Sequence, residues 1–182
     1  MSTNRPIRGP VSRKLFWILF FFFPVSIFSS VVPRHVIEGV PFIPQRRNWC
    51  GPACLAMVAR YYGVGISQEK LAGEIYQRRL RGAVNLDLLL AARRLGFQAH
   101  ASEGDLDKLK ALLRKNRPVI ALVETSRAGV FHYLLVYGYD DDKEVVIVHS
   151  GRDSAREIGY RDFSSSWEAS RNWMLVVEQK EE

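Results

Sequence analysis

Cys50 stands where an extended segment turns into a helix, a position that suits a cysteine nucleophile. Pro44 keeps the residue before it extended, and Pro52 fits the first turn of a helix. A thiol at a helix start lies beside unpaired backbone N–H groups and the positive end of the helix dipole, which favour the thiolate. We therefore predict a nucleophile with a lowered pKa. The alternative is that Cys50 is a small buried hydrophobic residue.

Two other residues supply what such a nucleophile needs. Gln45, five residues upstream, can direct its side-chain amide to the same point, and with the backbone N–H of Cys50 it would form an oxyanion hole. His132 opens an apolar stretch and is the candidate general base, distant in sequence and adjacent in space. A single histidine in a strand is otherwise structural, so the prediction depends on the three residues occurring together.

Helices are predicted in the first half of the chain. An apolar stripe that stops at Gly63 indicates a helix that begins at Cys50. Three further helices, reaching to about residues 77, 95 and 116, are predicted by their candidate N-caps: Ser67, Asn85 and Asp105.

Strands are predicted in the second half. Apolar runs rich in β-branched and aromatic residues occupy residues 118–123, 131–139, 145–149 and 173–177. The acidic stretch at residues 140–143 separates two of these runs and predicts a hairpin. Helices followed by antiparallel strands indicate an α+β fold.

Residues 45–54, the helix after them and the strand at residues 131–139 resemble the bacteriocin-processing cysteine peptidase family. Domains of this family also occur at the N-termini of peptide-exporting ABC transporters. The resemblance covers about residues 39–178. It implies a papain-like α+β fold, a Cys/His/Asp triad with an oxyanion glutamine, and cleavage of peptide precursors after a Gly-Gly leader ending. Matched residue by residue, Cys50 is the nucleophile, His132 the base and Gln45 the oxyanion donor.

The third member of the triad departs from the family pattern. Where the family usually has an Asp-Pro pair, this sequence has His149 in the run Val-His-Ser-Gly. A neutral histidine can accept a hydrogen bond from His132 and hold its tautomer, although it stabilises an imidazolium less than a carboxylate does. We predict His149 as the third member, with Asp153 as the alternative.

The two cysteines and four histidines predict neither a disulfide framework nor a metal site, because zinc needs three or four ligands at suitable spacing. No cofactor is predicted. Cys54 lies one helical turn beyond Cys50 and is predicted to pack in the core. The alternative is a resolving thiol that could form a disulfide with Cys50 and silence the enzyme.

The net charge of +7 is concentrated at the N-terminus. Residues 1–34 contain five basic residues and no acidic ones, so residues 35–182 carry 21 basic and 19 acidic side chains. A nearly neutral domain argues against a nucleic-acid partner. Within residues 1–34, a basic cluster precedes about 18 mostly apolar residues, which predicts a cleaved export signal or a single uncleaved membrane anchor. A buried core helix is the remaining alternative. Either of the first two places residues 35–182, predicted to be one domain, outside the cytoplasm.

The sequence therefore predicts an exported or membrane-tethered cysteine peptidase that acts on a peptide or protein. A Gly-Gly leader precursor delivered by a separate ABC exporter is one candidate substrate, and an unrelated periplasmic protein is another. Two rival functions use the same fold. One is a module that binds a peptide without cutting it, and the other is an acyl transferase that uses the same Cys/His pair.

Overall fold

The computed structural model describes Met1 and residues 33–180 of the 182-residue chain. The predicted export signal or anchor lies almost wholly outside the described residues and stays a prediction. Of the helices within residues 33–180, none combines the length and the apolar character needed to cross a membrane.

Five helices and seven strands make up the described part of the chain. The helices are α1 (Cys50–Tyr61), α2 (Gln68–Ile75), α3 (Asn85–Arg94), α4 (Leu106–Leu113) and α5 (Tyr160–Glu168). The strands are β1 (Arg34–Val36), β2 (Gln98–Glu103), β3 (Val119–Glu124), β4 (Phe131–Asp140), β5 (Val145–Ser150), β6 (Asp153–Gly159) and β7 (Trp173–Glu178).

All strands join one antiparallel sheet in the order β2-β7-β3-β4-β5-β6, with β1 added to β4. The predicted α+β class and papain-like architecture are confirmed, as is the hairpin between β4 and β5. Four elements were not predicted: β1, β2, β6 and α5. The exposed residues of β6 explain part of this, because an edge strand without a buried face has little apolar alternation.

The sheet has a hydrophobic core on each face. Helices α1, α2 and α3 cover one face, where Leu135 of β4 is buried. Helices α4 and α5 cover the other, where Leu134 and Val136 of the same strand are buried. Successive strand residues point to opposite faces, so a shift of one residue changes which core a side chain reaches. This alternation decides which residue meets His132.

Two of the three predicted helix caps are confirmed. The side chains of Ser67 and Asp105 accept hydrogen bonds from the backbone N–H groups three residues on. The prediction for Asn85 is wrong, because Val84 occupies the N-cap and Asn85 is the first residue of α3. Its side chain instead accepts a hydrogen bond from the hydroxyl of Tyr133.

Candidate active site

Cys50 is the first residue of α1 and is half-buried. Burial raises the pKa of its thiol above the ordinary value, and backbone N–H groups of Tyr133, Gly51 and Cys50 itself oppose that rise only in part. The predicted lowering of this pKa is therefore wrong. The reason is that loss of hydration, which disfavours the charged thiolate, outweighs the helix-start amides. The thiol is neutral at neutral pH.

The start of α1 packs closely against the start of β4. A Cβ atom placed on Gly51 would lie 3.3 Å from the ring of Tyr133 and 3.3 Å from the Cβ of Ala83. The Tyr133 hydroxyl in turn donates to Asn85 Oδ1 at 2.5 Å. A side chain here would require Tyr133 or Ala83 to move by a few tenths of an ångström, so Gly51 helps to set the position of Cys50 relative to the strand that carries His132.

The segment that carries Gln45 is held at both ends. The Gln45 backbone N–H donates to the Gly151 carbonyl at 2.9 Å, just beyond β5. On the other side, the buried Gln68 of α2 accepts from the Arg46 N–H at 3.0 Å and donates to the Pro44 carbonyl at 2.9 Å. Asn48 then takes a left-handed conformation, with φ of 63°, to turn the chain into α1. These bonds fix the segment between the end of β5 and the start of α2.

His132 is the second residue of β4 and is half-buried. Its Nε2 atom lies 3.0 Å from the hydroxyl oxygen of Ser150, the last residue of β5. Burial lowers the pKa of the imidazole below its ordinary value, and the positive charge of Arg156 lowers it further. The ring is therefore neutral at neutral pH and able to accept a proton.

The structure places Ser150, and not His149, against His132. Paired residues of adjacent strands share a face, and the register pairs Leu135 with His149 and Val136 with Val148. Ser150, two residues from Val148, therefore lies on the face of β4 that carries His132. His149 is one residue out of step and points away.

The ring nitrogens of His149 are occupied elsewhere. Its Nε2 lies 3.3 Å from the Val40 carbonyl, and the Ala155 N–H donates to its Nδ1 at 3.3 Å. The ring stacks on Tyr137 at a centroid distance of 4.3 Å. Nε2 must donate to the carbonyl while Nδ1 accepts, so this is a neutral, structural histidine. The alternative third member, Asp153, is exposed at the start of β6. It is paired with Ser150 in the register of β5 and β6.

Gln45, Cys50 and His132 line one open cleft with a volume of about 890 Å³. The structure thus brings together the three residues that the sequence singled out. A thiol at a helix start, an imidazole and an amide that line the same cleft are the groups needed to attack a carbonyl carbon and stabilise the resulting oxyanion.

Apolar side chains form much of the cleft wall. Leu80 is 61% exposed and Leu86 is 60% exposed on one side, and Val130 and Phe131 are each 43% exposed on the other. Arg81 and Arg127 also line the cleft, whereas its lining includes no aspartate or glutamate. The cleft is therefore apolar and positively charged.

Cys54 does not reach the cleft. It is 2% exposed and belongs to the core between α1 and the sheet. Burial first, and the nearby Cys50 second, raise the pKa of its thiol well above the ordinary value. It packs as predicted, and a buried thiol of this kind is a poor resolving thiol. Over residues 33–180 no three side chains of the metal-ligating types are grouped closely enough to bind a metal ion.

Sequence reasoning missed the contact of Ser150 with His132 and the supporting hydrogen bonds of Gln68, Tyr133 and Asn85. The signal for Ser150 was present, since the alternation of β5 puts residues 146, 148 and 150 on one face. The contact between Tyr133 and Asn85 joins residues 48 positions apart, and nothing in their local sequence indicates it.

The chain resembles peptidase domains of known structure. The peptidase domain of Streptococcus ComA, a bi-functional ABC transporter involved in quorum sensing, is 24% identical over 78% of this chain and 99% of that one, with a TM-score of 0.67. A double glycine motif protease from an AMS/PCAT transporter, solved with its leader peptide, is 23% identical over 81% of this chain and 99% of its own, with a TM-score of 0.63.

A more distant match is xylellain, a cysteine protease from Xylella fastidiosa, at 12% identity over 82% of this chain and 87% of that one, with a TM-score of 0.59. No curated protein matches the chain. The model of the Peptidase C39 family matches residues 40–182. This match takes in the whole candidate site, and the chain therefore belongs to the Peptidase C39 family of cysteine-type peptidases.

Proposed function

We propose that this peptidase cleaves its substrate through a thioester on Cys50, with His132 as general base and acid and Gln45 as oxyanion donor. The observation that carries the proposal is the meeting of these three residues in one cleft. Gln45 and Cys50 are neighbours in a loop and at a helix start, whereas His132 opens a strand more than 80 residues further along the chain. Their convergence on a surface cleft is what a nucleophilic mechanism needs.

The reaction starts with the Cys50 thiol and the His132 imidazole both uncharged. As Cys50 Sγ attacks the scissile carbonyl carbon, its proton passes to His132, so charge develops only with bond formation. His132 then gives that proton to the leaving amine as the C–N bond breaks and the thioester remains. A water molecule, deprotonated by His132, attacks the thioester carbon, and the acid product leaves as the thiol is restored.

The oxyanion is stabilised by donors that are already in place. The backbone N–H of Cys50 lies at the start of α1, and Gln45 lines the same cleft. The hydrogen bonds from Gln45 to Gly151 and from Arg46 to Gln68 hold this segment before substrate arrives. Preorganised donors of this kind do not have to reorient during the reaction.

The proposed substrate is a peptide precursor with apolar and acidic side chains in the part that the cleft binds. Exposed Leu80, Leu86 and Phe131 favour apolar side chains, and Arg81 and Arg127 favour carboxylates. A double-glycine leader is the substrate class that the family resemblance favours. The related double glycine motif protease, solved with a leader peptide, supports this choice. A separate ABC exporter would be the matching partner.

We also propose export of the domain, on the sequence pattern of residues 1–34 alone. The test is a fusion of these residues to an alkaline phosphatase that is active only outside the cytoplasm. Phosphatase activity is expected, and its loss is expected when Arg13 and Lys14 are both changed to Glu. An inactive fusion with the natural residues contradicts export.

The proposed chemistry is tested with the purified full-length chain. Synthetic precursors that carry an acidic, apolar leader and a Gly-Gly ending are incubated with the natural enzyme and with Cys50→Ala, and the products are identified by mass spectrometry. Cleavage after Gly-Gly that disappears in Cys50→Ala is expected. Cys54→Ala is the matched control, because it removes a thiol that does not reach the cleft and should still cleave. Equal cleavage by Cys50→Ala would exclude the mechanism.

Peptide binding without cleavage is the second candidate, favoured by the burial that raises the pKa of Cys50 and lowers the pKa of His132 and so keeps both groups uncharged. It predicts that the natural chain retains bound peptide intact after prolonged incubation, with the same affinity as Cys50→Ala. Acyl transfer is separated from hydrolysis by adding a primary amine. Formation of an amide product at the expense of the free acid would identify a transferase.

A further inference from the structure

Ser150 lies behind His132 and outside the cleft. His132 lines the cleft, whereas Ser150 is buried and is not part of its wall. The 3.0 Å contact uses Nε2 of the imidazole, which leaves Nδ1 as the nitrogen that can serve Cys50. Ser150 thus occupies the place that an orienting carboxylate takes in a triad.

We propose that Ser150 is the positioning residue of His132 and that it acts in place of a carboxylate. This inference rests on the proposed role of His132 as the general base. Ser150 is well suited to hold a ring, because its backbone pairs with Asp153 of β6 and the next residue, Gly151, binds the Gln45 segment. Ser150 and Gly151, at the end of β5, therefore hold both His132 and the segment that carries Gln45.

The hydroxyl group changes the chemistry of the orienting bond. A carboxylate only accepts hydrogen bonds, so it selects the tautomer with a proton on Nε2 and leaves Nδ1 free to take the thiol proton. A serine hydroxyl can accept from Nε2–H or donate to a bare Nε2, so both tautomers are compatible with the contact. It also carries no negative charge to stabilise the imidazolium that forms during the reaction.

The other groups around His132 do not replace the missing negative charge. Arg156 of β6 is cationic and Cys50 of α1 is a neutral thiol. Glu124 of β3 accepts a hydrogen bond from the Gly129 N–H. His149 of β5 is hydrogen-bonded to Val40 and Ala155. Arg156 is thus the charged group that acts on the His132 ring, and the Ser150 hydroxyl is the ring's hydrogen-bond partner.

The test compares three variants of the full-length chain: Ser150→Ala, Ser150→Thr and Ser150→Asp. Ser154→Ala, an exposed serine in the adjacent strand, is the matched control. Two quantities are measured from pH 5 to pH 10, namely kcat and KM for peptide cleavage and the rate of Cys50 alkylation by iodoacetamide. The second needs no substrate, so it tests Ser150 even where no cleaved peptide has been found. Circular dichroism checks that each variant is folded.

Ser150→Ala is expected to lower kcat about fivefold to tenfold with KM unchanged, because one neutral hydrogen bond contributes about 1 kcal/mol. Ser150→Thr, which keeps the hydroxyl, is expected to restore most of the loss. Ser150→Asp is expected to raise alkylation at pH 6 at least tenfold, since a carboxylate beside His132 favours the thiolate–imidazolium pair. Ser154→Ala should match the natural chain.

Unchanged alkylation and kcat profiles in Ser150→Ala would overturn the proposal, and so would an equal loss in Ser150→Ala and Ser150→Thr. Ser150→Asp enlarges a buried residue, so the proposal is decided by the Ala and Thr variants if the Asp variant does not fold. Failure of the proposed function gives a different result, in which cleavage is absent while the alkylation rate of Cys50 still depends on Ser150.

Discussion

The ring of Tyr133 lies 3.3 Å from the point that a Cβ atom on Gly51 would occupy. This contact links the residue after Cys50 to the residue after His132, so the two proposed catalytic residues are positioned by the packing of their neighbours. The hydroxyl of Tyr133 extends the link to Asn85, at the start of the helix that forms one cleft wall. The packing of Tyr133 therefore supports both the proposed catalytic residues and one wall of the cleft.

We expect Gly51→Ala to lower activity more than stability. The added methyl group must displace the Tyr133 ring or Ala83 by a few tenths of an ångström, which moves Cys50 relative to His132. A tenfold or larger fall in kcat is expected, because small displacements of reacting groups are costly in rate. Unfolding in urea should show a loss of about 1 kcal/mol, in the range of mild overpacking.

Gly73→Ala in α2 is the matched control for this variant. A Cβ atom there meets nothing within 4 Å, and the position is helical. Alanine should stabilise it by up to about 1 kcal/mol and leave kcat unchanged. Equal kcat values for Gly51→Ala and the natural chain would show that the contact with Tyr133 does not position Cys50.

Gln45→Ala is expected to reduce kcat by about 100-fold to 1,000-fold, the effect of removing one oxyanion donor. The backbone bond from residue 45 to Gly151 is kept in this variant, so the loop should stay in place. KM and the alkylation rate of Cys50 should therefore change little. A large fall in alkylation would mean that the side chain supports the loop and does not act on the oxyanion.

The sequence predicted the three residues of the cleft and most of the elements that carry them. It did so because helix caps, apolar stripes and short motifs are local, and Cys50 lies in such a motif. The order of the strands and the two hydrogen bonds between Gln68 and the Gln45 segment depend on contacts between distant residues, which no local pattern encodes. The choice of His149 failed by one residue, since matching a motif along the chain ignores which face of the strand a side chain takes.

The charge state of the Cys50 thiol also could not be predicted from the sequence. A helix start favours a thiolate, and that effect is visible in the primary structure. The opposing effect is burial of the thiol, which becomes known only once the chain is folded. For Cys50 the second effect is the larger, and this reverses the expected reactivity at low pH.

We expect alkylation of Cys50 to be slow at pH 6 and to rise steadily with pH beyond the ordinary thiol pKa of about 8.5. Burial raises the pKa of Cys50, so the folded protein holds this proton to a higher pH than the unfolded chain does. The measurement is the iodoacetamide rate on folded protein against the rate in urea at each pH. A plateau in the folded protein below pH 7 would instead indicate a preformed thiolate.

Stability is expected to fall as the pH is lowered from 7 to 5.5, and His149 should account for part of the loss. Burial lowers the pKa of its imidazole below the ordinary 6.5, although the bond to the Val40 carbonyl opposes this. The unfolded chain therefore takes up the proton first, so the stabilisation present above about pH 6.5 is lost as the pH falls through the lowered folded value. Protonation of Nδ1 would also break the hydrogen bond from Ala155.

Urea unfolding at each pH, compared between the natural chain and His149→Gln, measures this contribution. The variant is expected to be less stable at pH 7, because it loses the stacking on Tyr137, but less sensitive to pH. Some dependence should remain, since burial lowers the pKa of His132 in the same direction. His100→Gln, which removes an exposed histidine of β2, is the control. If His149→Gln keeps the full pH dependence of the natural chain, the acid sensitivity arises elsewhere in the protein.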